Sequence, residues 1–87
     1  MMDYLIQNYV EKMTIKEINE FALQNGVSLS EKEASLILFY IQKDWRTIIH
    51  GNPRKIFDEL EKELEPFTYQ KMISLYYYFK EKYQNYL

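Results

Sequence analysis

The fold is decided by residues 30–53, which read SEKEASLILFYIQKDWRTIIHGNP in one-letter code. Apolar side chains recur at helical spacing in this stretch, at Ala34, Ile37, Leu38, Ile41, Trp45 and Ile48, with more apolar bulk at Leu36, Phe39 and Tyr40. A helix that is apolar over most of its circumference has to lie inside other elements. The stretch therefore predicts a central helix over about residues 31–50, with other helices packed around it.

The ends of this helix carry their own signals. Ser30 and Glu33 have the spacing of a capping box, in which a hydroxyl and a carboxylate each satisfy a free backbone N–H group. Gly51 ends the helix, and Asn52 followed by Pro53 starts the next one in the favoured order of cap and then proline. The central helix is thus predicted to begin and end within this one stretch.

The interior of the central helix leaves one alternative open. A break near Lys43 and Asp44 would leave residues 45–49 as an ordered loop. The apolar period continues through Trp45 and Ile48. Because a loop would not keep that period, the pattern favours one continuous helix.

Four further segments also have apolar positions at helical spacing. Their inner faces are Leu5, Ile6, Tyr9, Val10 and Met13; Ile18, Phe21 and Ala22; Ile56, Phe57, Leu60 and Leu64; and Met72, Leu75, Tyr76, Phe79, Tyr83 and Tyr86. A capping box at Thr14 and Glu17 opens the second segment and Gly26 ends it, while Pro66 begins the last. The sequence predicts an all-α fold, a compact bundle of four to five helices forming a single domain over residues 1–87.

Composition narrows the class of protein. The 87 residues are 47% hydrophobic and include no cysteine, so neither a disulfide nor a thiolate metal site supports the fold. The first 13 residues carry Asp3, Glu11 and Lys12, which is unlike a signal peptide. The longest apolar run, residues 36–41, is far shorter than the ~20 residues that span a bilayer. We therefore expect a cytoplasmic protein with no membrane contact.

Catalytic chemistry has little support in the sequence. A nucleophilic site needs a serine or cysteine beside a base and an orienting group, and His50 is the chain's single histidine. The acidic pairs Glu59/Glu63 and Glu61/Glu65 fall on an outward helix face, where solvation explains them. We expect a non-enzymatic protein with no catalytic residue, no metal and no cofactor.

A basic window is the first candidate binding site. Residues 43–55 contain four lysines and arginines against one acid, a net charge of +3, although the whole chain carries −2. The candidate anion patch comprises Lys43, Arg46, His50, Arg54 and Lys55. Cations at the end of a helix complement its dipole, which explains the first three. Arg54 and Lys55 instead fall in a first turn, where free N–H groups and two cations suit a phosphate or carboxylate.

The last helix contains the second candidate site. Tyr77 and Tyr78 point away from its inner face, and Tyr78 lies near two lysines. The candidate protein interface comprises Lys71, Tyr77, Tyr78 and Lys82. Exposed tyrosines beside cations are typical of protein interfaces. We expect a helical interaction domain that presents this face to a protein partner or to a second copy of itself; the alternative is nucleic-acid or other polyanion binding through the basic window.

Two resemblances accompany these patterns. Residues 14–41 resemble the helix–extended-loop–helix unit of SAP-like modules, whose cap, core and turn positions correspond to Thr14, Glu17, Ile18, Gly26, Ser30, Ala34 and Ile37. Such families often bind nucleic acid through basic residues, but this segment carries a net charge of −2.

Over more of its length, the chain is similar to a small uncharacterised bacterial family, a domain of unknown function typical of low-GC Gram-positive organisms. That similarity lies in the short first helix, the Thr-Ile-x-Glu start, the Gly-Val-Ser-Leu-Ser turn and the late proline, and it implies no residue roles.

Overall fold

The computed structural model describes residues 2–83, apart from the side chains of Met2, Phe79 and Tyr83. Within these residues the chain forms five α-helices and no strand: α1 (Met2–Lys12), α2 (Ile15–Gln24), α3 (Glu31–His50), α4 (Arg54–Glu63) and α5 (Pro66–Tyr83). The predicted all-α class is confirmed. The predicted inner-face positions Phe79, Tyr83 and Tyr86 lie outside the described side chains.

Both predicted capping boxes are present. The backbone N–H of Glu17 donates to the Thr14 hydroxyl at 3.2 Å, and the N–H of Thr14 donates to the Glu17 carboxylate at 3.0 Å. The same exchange joins Ser30 and Glu33, at 3.1 and 3.0 Å. Between the two helices, Gly26 adopts the left-handed conformation, with a φ of +80°. These local signals fix where α2 begins and ends and where α3 begins.

The central helix was predicted to be continuous, but the structure shows a kink in it. Asp44 has a φ of −123° and a ψ of 22°, which is not helical, and α3 is kinked there into two segments. Aspartate favours such positions because its side chain competes for backbone hydrogen bonds that a helix interior requires. The kink lies beside the boundary between two compact units, Met1–Trp45 (the N-terminal unit) and Arg46–Leu87 (the C-terminal unit).

The N-terminal unit contains α1, α2 and the first segment of α3. Its buried apolar residues are Val10, Ala22, Val27, Ala34 and Trp45. The Gln42 side-chain amide on α3 donates to the Val10 carbonyl at 3.1 Å and to the Met13 carbonyl at 3.4 Å. Because the last carbonyls of a helix have no partner within it, this side chain both satisfies the end of α1 and joins it to α3.

The apolar surface of this unit is less enclosed than predicted. Leu5, Tyr9 and Phe21 were expected to face inward, but all three are exposed, as is Phe39 on α3. Leu38 is half-buried. Leu5 and Tyr9 share a side of α1, while the buried Val10 lies about 100° round the helix from Tyr9, so only part of the predicted face is covered. Helix α3 is therefore covered in part: Ala34 and Trp45 are buried, whereas Phe39 is exposed.

The C-terminal unit contains α4, α5 and the second segment of α3. Its buried residues are Ile56, Leu60, Leu64 and Thr68. The rings of Phe57 on α4 and Tyr76 on α5 pack edge to face, with centroids 4.9 Å apart. The Tyr76 hydroxyl donates to the Ile48 carbonyl at 3.1 Å. One tyrosine thus joins α5 to both other helical segments of its unit.

Candidate interaction surface

The outer side of α5 carries three large aromatic side chains, which we call the aromatic face: Phe67, Tyr77 and Tyr78. Their exposed fractions are 62%, 60% and 55%. Phe67 precedes Tyr78 by 11 residues, so the two side chains lie along one line of the helix, about 16 Å apart. Single exposed aromatic residues are common on protein surfaces, but several on one face mark an interaction site.

The tyrosines of this face are positioned by their neighbours on α5. The Tyr77 ring packs edge to face on Tyr76, with centroids 5.2 Å apart. Tyr76 is itself fixed by its hydrogen bond to Ile48. Contacts of this kind restrict the rotamers of an exposed ring, which lowers the entropy lost when a partner orders it.

Cations complete the predicted interface. The Lys82 ammonium lies 5.6 Å from the ring centroid of Tyr78, within the range of a cation–π contact. Lys71 is half-buried on the flank of α5, one turn after Phe67 and two turns before Tyr78. The structure therefore places all four predicted interface residues on one helix and pairs Lys82 with Tyr78.

Phe67 is the member of this face that the sequence interpretation missed. With Pro66 beginning α5, positions 67, 74 and 78 are separated by seven and four residues, the spacing of a single stripe along a helix. Ser74, between the two aromatic residues, is exposed. Projecting the helix from its proline would have revealed this stripe.

The edge of the aromatic face nearest α4 is acidic. The pKa of Tyr69 is raised above its usual value, first by burial and then by Glu61, Asp58 and Tyr77. Glu61 and Asp58 belong to α4, so charges on α4 act on Tyr69 of α5. At the far end of α5, Lys82 lies over Tyr78, the exposed Glu81 precedes it, and Lys80 lies over the inner Tyr76. The face is thus aromatic at its centre and charged at its margins.

The predicted anion patch is divided between the two units. Lys43 belongs to the N-terminal unit, where its ammonium lies 5.4 Å from the ring centroid of Phe39. The other four members, Arg46, His50, Arg54 and Lys55, are exposed and belong to the C-terminal unit. The five cations therefore do not form a site on one unit.

The start of α4 also differs from the prediction. The helix begins at Arg54, one residue later than the predicted Pro53. The Asn52 side-chain oxygen accepts a hydrogen bond from the Arg54 backbone N–H at 3.1 Å. One of the N–H groups predicted to be available to an anion is therefore already used, while the side chains of Arg54 and Lys55 remain exposed.

Metal ligands and membrane-spanning segments are the two remaining features of the described part of the chain. Among residues 2–83, no three histidines, cysteines or acidic residues are grouped so that they could hold a metal ion. No helix in this range is both long enough and apolar enough to cross a membrane.

Comparisons with known protein families, with curated proteins and with solved structures find no match to this chain. Residues 27–30 connect α2 to α3 without regular structure. The two family resemblances themselves stay predictions.

Proposed function

We propose that this chain is a non-enzymatic protein-interaction domain that binds its partner through the aromatic face of α5. The exposure of Phe67, Tyr77 and Tyr78 on one side of a single helix carries the proposal. Burying large aromatic anchors supplies most of the binding energy at many interfaces. The charged margins of this face would then fix the orientation of the partner.

The alternative location for an interface is α1, which exposes Tyr4, Leu5 and Tyr9. The face on α5 is favoured because its rings are held in place: Tyr77 packs on Tyr76, and Lys82 lies over Tyr78. A partner that binds rings already held in place loses less side-chain entropy than one that has to order them.

The double variant Tyr77→Ser, Tyr78→Ser tests the proposal. Removing these exposed side chains leaves little cavity, so the free energy of unfolding should change by no more than about 0.5 kcal/mol per site. Loss of an aromatic anchor can cost 2 kcal/mol or more of binding, roughly thirtyfold in affinity. Urea denaturation measures the first quantity; light scattering and affinity recovery from host extract measure the second.

The matched control is Tyr4→Ser, Tyr9→Ser, which makes the same change on the exposed side of α1. We expect this control to keep the mass and the partner recovery of the unmodified chain. If it loses them while the α5 variant keeps both, the interface lies on α1 and the proposal is wrong. A large loss of stability in the α5 variant would show instead that its tyrosines belong to the core.

A second candidate function, polyanion binding, rests on the exposed side chains of Arg54 and Lys55 in the first turn of α4. The total charge of −2 opposes it. We expect weak or no binding to duplex DNA at physiological salt, measured by fluorescence anisotropy. Submicromolar binding that weakens steeply with salt and is abolished by Arg54→Glu would favour this function over protein interaction.

The proposal includes a bacterial, cytoplasmic setting and membership of the small bacterial family that the chain resembles. The chain has no cysteine, so nothing in its composition points to an oxidising compartment. Expression of a tagged chain in a bacterial host, followed by fractionation, tests the location.

A further inference from the structure

We propose that Asn25 is a site of covalent modification, at which the side-chain amide is lost by attack of the Gly26 backbone nitrogen when the last turn of α2 opens. Three observations support this: the Asn-Gly pair in the sequence, the hydrogen bonds that hold the pair in the folded chain, and the position of Asn25 at the end of a helix. The site belongs to the N-terminal unit, and its tests do not involve the aromatic face.

The chemistry needs only the two residues and water. The Gly26 nitrogen attacks the side-chain carbonyl carbon of Asn25, the amide leaves as ammonia with the proton of that nitrogen, and a succinimide ring forms. Water then opens the ring at either carbonyl and leaves aspartate or isoaspartate. A glycine in the second position has no side chain to crowd the ring. The other described asparagines precede a larger residue or a proline, which has no N–H to react: Asn8, Asn19 and Asn52.

The surroundings of Gly26 leave room for this ring and for water. Gly26 is exposed and has a φ of +80°. Apart from its two neighbours in the chain, no atom lies within 4 Å of the position that a Cβ would take there. No packed side chain therefore has to move before the reaction can proceed.

The folded chain nevertheless holds the pair in a geometry that cannot react. The ψ of Asn25, 16°, places the Gly26 nitrogen beside the backbone nitrogen of Asn25 rather than beside its Cβ, where ring closure requires it. The Asn25 side-chain amide donates to the Phe21 carbonyl at 2.9 Å, and the Gly26 N–H donates to the Leu23 carbonyl at 3.1 Å. Both reacting groups are thus bound to the last turn of α2, which has to open first.

Opening of this turn is a local event. The turn is closed by one further bond, in which the Val27 N–H donates to the Ala22 carbonyl at 2.8 Å. Val27 and Ala22 are buried, whereas Gln24 and Gly26 are exposed. Helix ends open at a smaller free energy than the core and without unfolding the rest of the chain. The rate of the reaction therefore measures how often the end of α2 opens.

The product weakens the turn in which it forms. Asn25 ends α2 as a hydrogen-bond donor to Phe21, and a carboxylate has no hydrogen to donate. Negative charge at the C-terminal end of a helix is opposed by the dipole, and the last turn of α2 has no basic residue to offset it. Isoaspartate would also lengthen the backbone before the buried Val27 by one methylene group. The modification therefore loosens the connection from α2 to α3.

Asn52 provides a matched control for the effect of the product. Its side-chain oxygen accepts a hydrogen bond from the Arg54 N–H at 3.1 Å, and a carboxylate keeps that acceptor. It precedes α4, where the helix dipole favours negative charge. Asn25→Asp should therefore lower the urea midpoint of unfolding, whereas Asn52→Asp should keep or raise it. Equal losses from the two variants would overturn this account of the α2 end.

Mass spectrometry of tryptic peptides, after incubation of the full chain in mildly alkaline buffer, tests the reaction itself. In urea, Asn25 should be deamidated before Asn8, Asn19 and Asn52. In the folded chain it should still react, but about tenfold or more slowly than in urea, because only the open turn is reactive. Equal rates in the two conditions, or no reaction in the folded chain while the unfolded chain is converted, would overturn the proposal.

The dependence on opening has its own test at the exposed Gln24. Gln24→Gly lowers the helix propensity of the last turn and should speed the reaction of the folded chain about threefold or more. The matched control, Gln24→Ala, should leave it unchanged or slower. Both variants should react like the unmodified chain in urea, and circular dichroism checks that both keep their helices. The same folded-chain rate in Gln24→Gly and Gln24→Ala would mean that opening of α2 does not control the reaction.

Discussion

Helices α4 and α5 belong to the same unit but present different surfaces to solvent. The outer side of α4 is entirely charged, with Asp58, Glu59, Glu61, Lys62 and Glu63 all exposed. The outer side of α5 exposes the three residues of the aromatic face. Charged residues around an apolar inner stripe are what a surface helix needs in order to fold. Folding therefore explains the pattern of α4 but does not explain the exposed aromatic residues on the outer side of α5, for which we propose binding.

The inner side of α4 should give the largest effect on stability. Leu60 is 3% exposed, so Leu60→Ala should lower the free energy of unfolding by about 2–5 kcal/mol through lost burial and a new cavity. Leu23, on α2, is 63% exposed, and Leu23→Ala serves as the matched control with a change below about 1 kcal/mol. Urea denaturation gives both values. A loss below about 1 kcal/mol for Leu60→Ala would mean that α4 does not pack as described.

The inner side of α5 should give a smaller effect. Tyr76→Phe keeps the ring against Phe57 but removes the hydroxyl that donates to Ile48. Losing one such hydrogen bond should cost about 0.5–1.5 kcal/mol. Tyr77→Phe makes the same change on the outer side and should leave stability nearly unaltered. Equal losses from the two variants would remove the distinction between the two sides of α5.

Ionisation of Tyr69, where α4 meets α5, should give the smallest effect on the free energy of unfolding, and only at alkaline pH. Burial and the charges of Glu61 and Asp58 raise the pKa of Tyr69 above its usual 10.0. The folded chain therefore binds the proton of the Tyr69 hydroxyl more tightly than the unfolded chain does. This contribution to stability is complete below pH 10.0 and is lost as the pH rises through the raised pKa.

Removing the ionisable group should reduce that alkaline loss. Urea midpoints of Tyr69→Phe should fall less than those of the unmodified chain between about pH 9 and pH 11. Tyr4→Phe, at an exposed tyrosine, should follow the unmodified chain. If the two variants behave alike, the pKa of Tyr69 is not raised in the folded chain.

The elements of the fold could be predicted because their signals are local. Thr14 and Ser30 act on residues three positions away, and Pro66 begins its own helix. The kink at Asp44 and the exposure of Tyr9 could not be predicted in the same way. Periodicity shows which positions share a face, but neither where the axis bends nor how much of a face its neighbours cover. Those properties depend on packing between elements.

The candidate site was predictable to a similar extent. Tyr77, Tyr78 and Lys82 could be placed on one outer face because a single helix carries them all. The predicted anion patch includes Lys43 and four residues beyond the kink at Asp44, so the geometry of one helix does not fix its arrangement. The geometry of a straight helix fixes the relative positions of residues within it, but not those of residues on opposite sides of a bend.

The hydrogen bond from Gln42 to the end of α1 has a consequence for the order of folding. It joins residues 32 positions apart, whereas the capping boxes join residues three positions apart. Closing a long loop costs chain entropy before the bond returns any energy, and contacts between near neighbours form first. Helices α2 and α3 can therefore nucleate early, each from its own cap. We expect the hydrogen bonds that join the last turn of α1 to α3 to form later than these caps.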